Sequence, residues 1–244
     1  MAKPTWFDPA VSGPRPEYPR LPGPTTCDLL VIGGGYTGLW AALHAAERDP
    51  GANIVLIEGE RLGWAASGRN GGFVDASLTH GAHNGKTRWP DEFERLQRLG
   101  IANLDGMQAD IEAYGMQVDW QRTGMLDVAV EPHQVEWLRD AANDGDGRFL
   151  DADAVRAQVD SPTYLAGLFS EETCAIVNPA RLVFELARAC AQRGVQIFEG
   201  TTAQAVARNG NRVMVDTPVG RLTAKRVVLA TNVFPSLLRR NRLY

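Results

Sequence analysis

Asp28-Leu29-Leu30-Val31-Ile32-Gly33-Gly34-Gly35-Tyr36-Thr37-Gly38 opens a stretch that runs on through an apolar helical segment to Asn53-Ile54-Val55-Leu56-Ile57-Glu58. A continuous apolar run meets a glycine cluster, the pattern of a buried parallel strand feeding a tight turn. Gly33, Gly35 and Gly38 satisfy the spacing G-x-G-x-x-G. In that pattern the first glycine permits the turn out of the strand. The second lets the backbone approach a pyrophosphate where a Cβ would collide, and the third lets the helix lie close on the sheet. The helix that starts at Tyr36 and Thr37 points its unpaired N–H groups and partial positive charge at the phosphates. Glu58 ends the second strand twenty residues after Gly38, where a carboxylate can accept hydrogen bonds from an adenosine ribose. The motif alone is weak, and a glycine-rich turn in another α/β fold with Glu58 merely capping a strand is the alternative. The strand before it, the helix after it and the acid at this distance together point to a β-α-β dinucleotide site.

The helix spans roughly 36–48, with Leu39, Ala42, Leu43 and Ala46 at helical spacing, and Asp49-Pro50-Gly51 stops it. His44 within it reads as a packing or surface residue. Composition sets the frame around this unit. The chain has 244 residues, 44% hydrophobic and 22% charged, in the ordinary range for a globular protein of one large domain or two small ones. A net charge of −4 gives no reason to expect nucleic acid or an anionic membrane as partner. No apolar run reaches the ~20 residues of a membrane span, and no apolar signal core opens the sequence. Cys27, Cys174 and Cys190 lie far apart without a C-x-x-C, and read as reduced, mostly buried thiols of a cytoplasmic protein.

Residues 1–24 hold seven of the fourteen prolines, so an extended arm without helix is expected. It is either a disordered tail or an arm packed over the body. Trp6, Phe7 and Tyr18 favour docking, because aromatic residues are unusual in a solvated tail. After Glu58 comes Arg61-Leu62-Gly63-Trp64-Ala65-Ala66-Ser67-Gly68-Arg69-Asn70-Gly71-Gly72, a loop with no apolar period. Its backbone could wrap a ligand, and Arg61 and Arg69 could neutralise a diphosphate. Composition alone equally admits an ordinary polar turn.

The run Gly33 to Leu39, Glu58, and the run Ala66-Ser67-Gly68-Arg69-Asn70-Gly71-Gly72 resemble the start of FAD-dependent amine oxidases of the D-amino-acid oxidase superfamily. The Gly-Arg-Asn-Gly-Gly portion is the specific part. The resemblance implies that Glu58 holds the adenosine ribose and that Ser67 to Gly72 lie along the diphosphate and the flavin. Some members link flavin covalently through a histidine in this loop. The matching position is Arg69, so the resemblance implies FAD bound without a covalent link.

Residues 90–114 read as a helix with Phe93, Leu96, Leu104, Met107, Ile111 and Tyr114 near one face; Gly100 and Gly106 make a break possible. Two strands are expected at 118–121 and 125–130, flanking the turn Arg122-Thr123-Gly124, and a helix at 132–143 with Val135 and Leu138 inward. The acids in Asn143-Asp144-Gly145-Asp146-Gly147 lack the ligand spacing of a calcium loop, and His80, His83 and His133 lack metal-ligand spacing, so no metal is expected. Asn178 as N-cap and Pro179 at the first position open a helix with the stripe Leu182, Val183, Leu186, Ala187 and Cys190, which Gly194 ends. A strand at 195–198 follows. Three short alternating runs at 203–207, 212–216 and 221–224, with Asn209-Gly210 as a hairpin turn, lead to a buried strand at 226–232. By resemblance Val206 holds the adenine through its backbone, where a plain strand residue is the alternative, and Ala230-Thr231 approach the diphosphate.

The expected architecture is therefore α/β, a Rossmann-like FAD-binding fold of the two-dinucleotide type with an inserted α+β substrate segment. Its parts are an arm at 1–26, the FAD-binding domain at 27–75 and 176–244, and the substrate segment at 76–175. Members of the superfamily are longer, so the resemblance implies that a C-terminal part is missing. The implied activity is oxidation of a C–N bond in an amine or amino acid by hydride transfer to flavin, with oxygen as acceptor. The alternatives are a flavin-dependent hydroxy-acid dehydrogenase with another acceptor and a non-catalytic fragment. No Ser/His/Asp or Cys/His constellation is visible, and no catalytic residue is assigned.

Overall fold

The computed structural model describes residues 5–233 and Leu237. In chain order the elements are α1 (Pro9–Ser12), β1 (Thr25–Ile32), α2 (Tyr36–Arg48), β2 (Ile54–Ile57), β3 (Phe73–Asp75), α3 (Ala82–Arg88) and α4 (Phe93–Ala113). Next come β4 (Met125–Ala129), α5 (Pro132–Asn143), β5 (Arg148–Leu150), α6 (Ala152–Gln158), β6 (Ala166–Ser170) and β7 (Cys174–Ile176). The chain continues with α7 (Pro179–Gln192), β8 (Gln196–Phe198), β9 (Ala205–Asn209), β10 (Arg212–Thr217) and β11 (Gly220–Leu229). It divides into two compact units, residues 1–71, 116–118 and 178–244 in the first, and 72–115 and 119–177 in the second.

The first unit is built on a six-stranded sheet in the order β8-β2-β1-β11-β10-β9. The pairs β8/β2, β2/β1 and β1/β11 are parallel, and β11/β10 and β10/β9 are antiparallel. Parallel strands need covered faces, and β1 and β2 show it: Leu30, Ile32, Val55 and Ile57 join one core cluster with Leu222 and Ala224. Val31 and Leu56, also fully buried, point to the opposite face by the alternation of a strand. Each such side chain contributes about 1.5–3 kcal/mol through removal from water. α2 and α7 are tied together as well as packed, since Cys190 Sγ donates to the Leu39 carbonyl at 3.3 Å and the Tyr36 hydroxyl to that of Pro179 at 3.0 Å.

The cap of α7 is as read from the sequence: Asn178 accepts from the Arg181 N–H at 3.1 Å, with Pro179 first in the helix and Gly194 at φ 85° after it. The last two expected strands are one. β11 is continuous over ten residues, pairing with β10 along its first half and with β1 from Leu222 to Leu229. A single strand thus leaves the meander and enters the parallel sheet. The arm also departs from expectation. Thr5–Phe7 form a 3₁₀ turn and α1 is helical. The reason is local: Pro9 stands at the first helical position, where no N–H is needed, and Asp8 caps the Ala10 N–H at 2.9 Å. Residues 1–4 of the arm and the chain end at 238–244 lie outside the described residues.

The second unit holds an antiparallel sheet in the order β4-β6-β5 and a separate β3/β7 pair. α4 runs unbroken across both glycines. Gly100 is buried, and a Cβ there would overlap the Ala76 carbonyl oxygen, so the glycine serves a close helix–loop contact. Of the expected face, Phe93, Leu104 and Ile111 are buried. α5 starts and ends where the periodicity places it, capped by Glu131. No strand forms at 118–121: Asp119 takes a positive φ of 56°, which breaks an extended run, and a lone bridge from Gln121 to Ile176 remains.

Candidate functional site

A cavity of about 850 Å³ opens in the first unit where β1, β2 and β11 end. β2 and β11 flank β1 on opposite sides, so the connections diverge there, and a crevice forms at the carboxyl ends of the strands. Gly33 leaves β1 at φ 114°, a conformation that L side chains rarely adopt, and a Cβ on it would overlap the Ala230 carbonyl oxygen. The strands stay joined up to this turn, with Gly33 N–H donating to Ile57 and Ala230 N–H to Ile32, both at 2.8 Å. Gly38 faces inward, where a Cβ would overlap the Gly33 carbonyl oxygen, so it sets how closely α2 approaches the turn. Gly35 lies on the cavity wall.

Glu58 stands at the end of β2 and is 8% exposed. Its Oε2 accepts the Gly34 N–H at 2.7 Å, and its Oε1 accepts the Glu60 N–H at 2.9 Å and the Trp64 indole N–H at 3.0 Å. A carboxylate oxygen has two lone pairs, so Oε1 is fully used and Oε2 retains one acceptor position. Glu58 therefore holds the glycine turn and the following loop while keeping capacity for a ligand hydroxyl.

The loop after Glu58 folds on itself. Ala66–Gly68 form a 3₁₀ turn, and the Ser67 hydroxyl accepts the Tyr36 N–H at 3.0 Å, which takes up one of the open donors of α2. Arg69 Nε donates to the Trp64 carbonyl at 2.5 Å, and the Asn70 amide to those of Ala66 and Ser67 at 3.2 and 2.9 Å. Burial pushes the Tyr36 phenol up to about 12, so it is a neutral donor across the physiological range.

Of the residues singled out from the sequence, Gly33, Gly35, Tyr36, Thr37, Glu58, Ser67, Ala230 and Thr231 line this cavity together. Gly38, Arg61, Gly68, Arg69, Asn70, Gly71 and Val206 are not on its wall. Gly72 falls in the second unit. Val206 pairs with Val215 inside β9/β10 and packs against the core. Thr201, Thr202 and Ala203 line the cavity instead, along with Gly59, Glu60 and Trp64. The signal for them was available: each follows the carboxyl end of a parallel strand, β8 or β2. Among the described residues, no group of three or more His, Cys, Asp or Glu could hold a metal ion.

Residues 28–243 match the family model described as FAD dependent oxidoreductase (DAO), and the chain belongs to that family. A probable oxidoreductase, OrdL, of Rhizobium meliloti (strain 1021) is 30% identical over 245 residues, covering 93% of this chain and 54% of that protein. Gamma-glutamylputrescine oxidoreductase of Escherichia coli (strain K12) is 31% identical over 218 residues, 86% of this chain and 50% of that protein. The crystal structure of glycine oxidase from Geobacillus kaustophilus superposes with a TM-score of 0.72 at 19% identity, over 84% of this chain and 55% of that one, which shows the shared fold. The chain spans about half the length of the curated relatives it matches.

FAD is the cofactor of this family, typically held without a covalent link, and the residues present fit its adenosine diphosphate end. Gly33 and Gly35 leave the cavity wall beneath the turn without side chains, and Thr37 follows at the start of α2. Glu58 offers the remaining acceptor on Oε2 for a ribose hydroxyl.

Proposed function

We propose that the protein carrying this chain oxidises the C–N bond of an amine or amino acid. The observation that carries the reading is the cavity at the ends of β1, β2 and β11, with Glu58 at its rim and Gly35 on its wall, in a chain similar to gamma-glutamylputrescine oxidoreductase. The first unit binds FAD, and the second supplies part of the substrate domain. Glu58 takes the adenosine ribose. The α2 N-terminus, with Thr37, faces the diphosphate, and Ala230-Thr231 form the opposite wall. Arg69 and Asn70 act by holding the Trp64–Ser67 loop in place, because the Arg69 Nε and the Asn70 amide nitrogen donate to carbonyls within it.

When bound, FAD would supply the redox chemistry, accepting a hydride from the carbon next to nitrogen; water would hydrolyse the resulting imine, and oxygen would take the electrons to give hydrogen peroxide. The chain's own part is binding and orientation, with neutral Tyr36 as a buttress between α2 and α7. Among the described residues no helix is long and apolar enough to cross a membrane, and a cytoplasmic location agrees with three buried free cysteines. The test is purification of the complete reading frame, a flavin spectrum, and a peroxide assay over a panel of amines, amino acids and hydroxy acids. Amine-dependent peroxide is the expected result. Turnover of hydroxy acids alone with an artificial acceptor would replace this reading with a dehydrogenase.

A further inference from the structure

β2 and β8 run side by side and end together, and each is followed by a buried acid: Glu58 after Ile57, Glu199 after Phe198. On the proposed function, on which this inference rests, the first is the ribose carboxylate. We propose that Glu199 is a second carboxylate of the cofactor site, a positioning residue that fixes the 59–64 loop, and that Arg15 of the N-terminal arm is its counter-charge.

Glu199 is 7% exposed. Its Oε1 accepts the Leu62 N–H at 2.7 Å and is ion-paired with the Arg15 guanidinium. The two acids thus take alternate amides of one loop, Glu58 that of Glu60 and Glu199 that of Leu62. Leu62 in turn sets the glycine turn. Its side chain fills the space where a Cβ on Gly34 would stand, and the next residue, Gly63, donates to the Gly34 carbonyl at 3.1 Å. The path runs from Arg15 through Glu199 and Leu62 to Gly34, whose N–H is bound by Glu58.

A buried carboxylate without a partner is costly, which is why a distant arm residue matters to this loop. The arm is anchored where the acid sits: the Glu199 N–H donates to Pro19 at 3.0 Å, and the Leu21 N–H to the hydroxyl of Thr201, a cavity-lining residue, at 3.1 Å. It is also anchored on the other side of the loop, where the Trp6 indole donates to the Asn70 carbonyl at 2.9 Å. The arm is thus held at one end against residues 199–201 and at the other against the loop that follows Glu58.

The test compares Arg15→Met, Glu199→Gln and the double variant. Glutamine keeps an acceptor for the Leu62 N–H and needs no counter-charge. Arg15→Met strands the Glu199 charge, and should weaken FAD binding about tenfold, a readable loss in a flavin fluorescence titration. In the apoprotein, hydrogen exchange at Leu62 should accelerate by about the same factor, with the β2 amides unchanged. Adding Glu199→Gln to Arg15→Met should restore both readouts most of the way, whereas an arm that merely contributes packing would leave the double variant as weak as the single one. Arg15→Lys should stay near the parent. Unchanged Leu62 exchange or unchanged FAD affinity in Arg15→Met, or no recovery in the double variant, overturns the proposal.

Discussion

The Trp64 indole N–H lies 3.0 Å from Oε1 of Glu58, the carboxylate that the motif assigns to the adenosine ribose. On the proposed reading the acid is therefore shared between the protein and its cofactor. Trp64 is 37% exposed, whereas the two backbone donors to Glu58 belong to the turn and the loop themselves. Removing the acid and removing the indole should accordingly have different effects.

Glu58→Ala strands the buried Gly34 amide, at a cost of about 1–3 kcal/mol, and frees the amide of exposed Glu60 to water. Thermal unfolding of the apoprotein should shift down measurably, and FAD affinity should fall about tenfold or more, since the ribose acceptor is lost as well. Trp64→Phe removes only an indole donor at the cavity edge, and should hold FAD within about threefold of the parent. Equal losses in the two variants would place the adenosine end on the indole.

The flavin should be released by acid precipitation. Arg69 occupies the loop position at which a histidine could form a link, and its Nε is engaged by the Trp64 carbonyl. The described cysteines are buried, with Cys27 and Cys190 thiols pushed up by burial to about 11 and about 12. Neither guanidinium nor a protonated buried thiol is a nucleophile toward flavin. Yellow colour that stays in the pellet would contradict this.

Those same groups give the protein an alkaline limit. Tyr18 and Tyr36 are raised from the ordinary 10.0 to about 12, and Cys27 and Cys190 from the ordinary 9.0 to about 11 and about 12, chiefly by burial. The folded state thus binds these protons more tightly than the unfolded state does. Their contribution to stability is fully present below pH 9, declines as pH rises past the unfolded values, and is gone once pH exceeds the folded ones of about 11 to about 12. Denaturant midpoints should fall steadily from pH 9 to 11, and the tyrosinate absorbance of Tyr18 and Tyr36 should appear only with unfolding. Tyrosinate formation at the ordinary pKa without loss of fold would show both phenols to be solvated.

The first unit was legible because its determinants are local. Strand, glycine turn, helix and acid lie within one short stretch, and α7 carries its own cap. The residues that complete the cavity wall arrive through register. Thr201 to Ala203 reach it because β8 pairs with β2, and nothing in their own types announces a site. Val206 shows the converse, since strand periodicity is visible in its run but its neighbour across the sheet is not. The second unit was harder. β3, β5, β6 and β7 have at most five residues each, too short for periodicity to register, and they pair non-locally. Gly100 was readable only as a weak helix position, because its use is contact with the distant Ala76 carbonyl.

Gly35 and Gly38 belong to one motif but serve different ends, and alanine at each should separate them. Gly38 sits in α2 with its missing Cβ aimed at the Gly33 carbonyl oxygen and beside the Val31 side chain. Neither the turn nor the fully buried strand can retreat, so Gly38→Ala must push α2 off the sheet and should cost several kcal/mol, in the range of overpacked cores. Loss of soluble expression or a large drop in the urea midpoint is the expected result. Gly35 has φ −88° and ψ −175°, backbone that any residue adopts, and an added Cβ would meet only the Ser67 hydroxyl at 2.9 Å. A serine hydroxyl can yield by rotating, so Gly35→Ala should fold with a stability change of about 1 kcal/mol or less. The new methyl group would nonetheless stand on the cavity wall, where the motif brings a pyrophosphate to the backbone. FAD affinity should fall about tenfold or more while the apoprotein remains intact. Undiminished FAD binding by a stable Gly35→Ala protein would remove the glycine turn from the cofactor site.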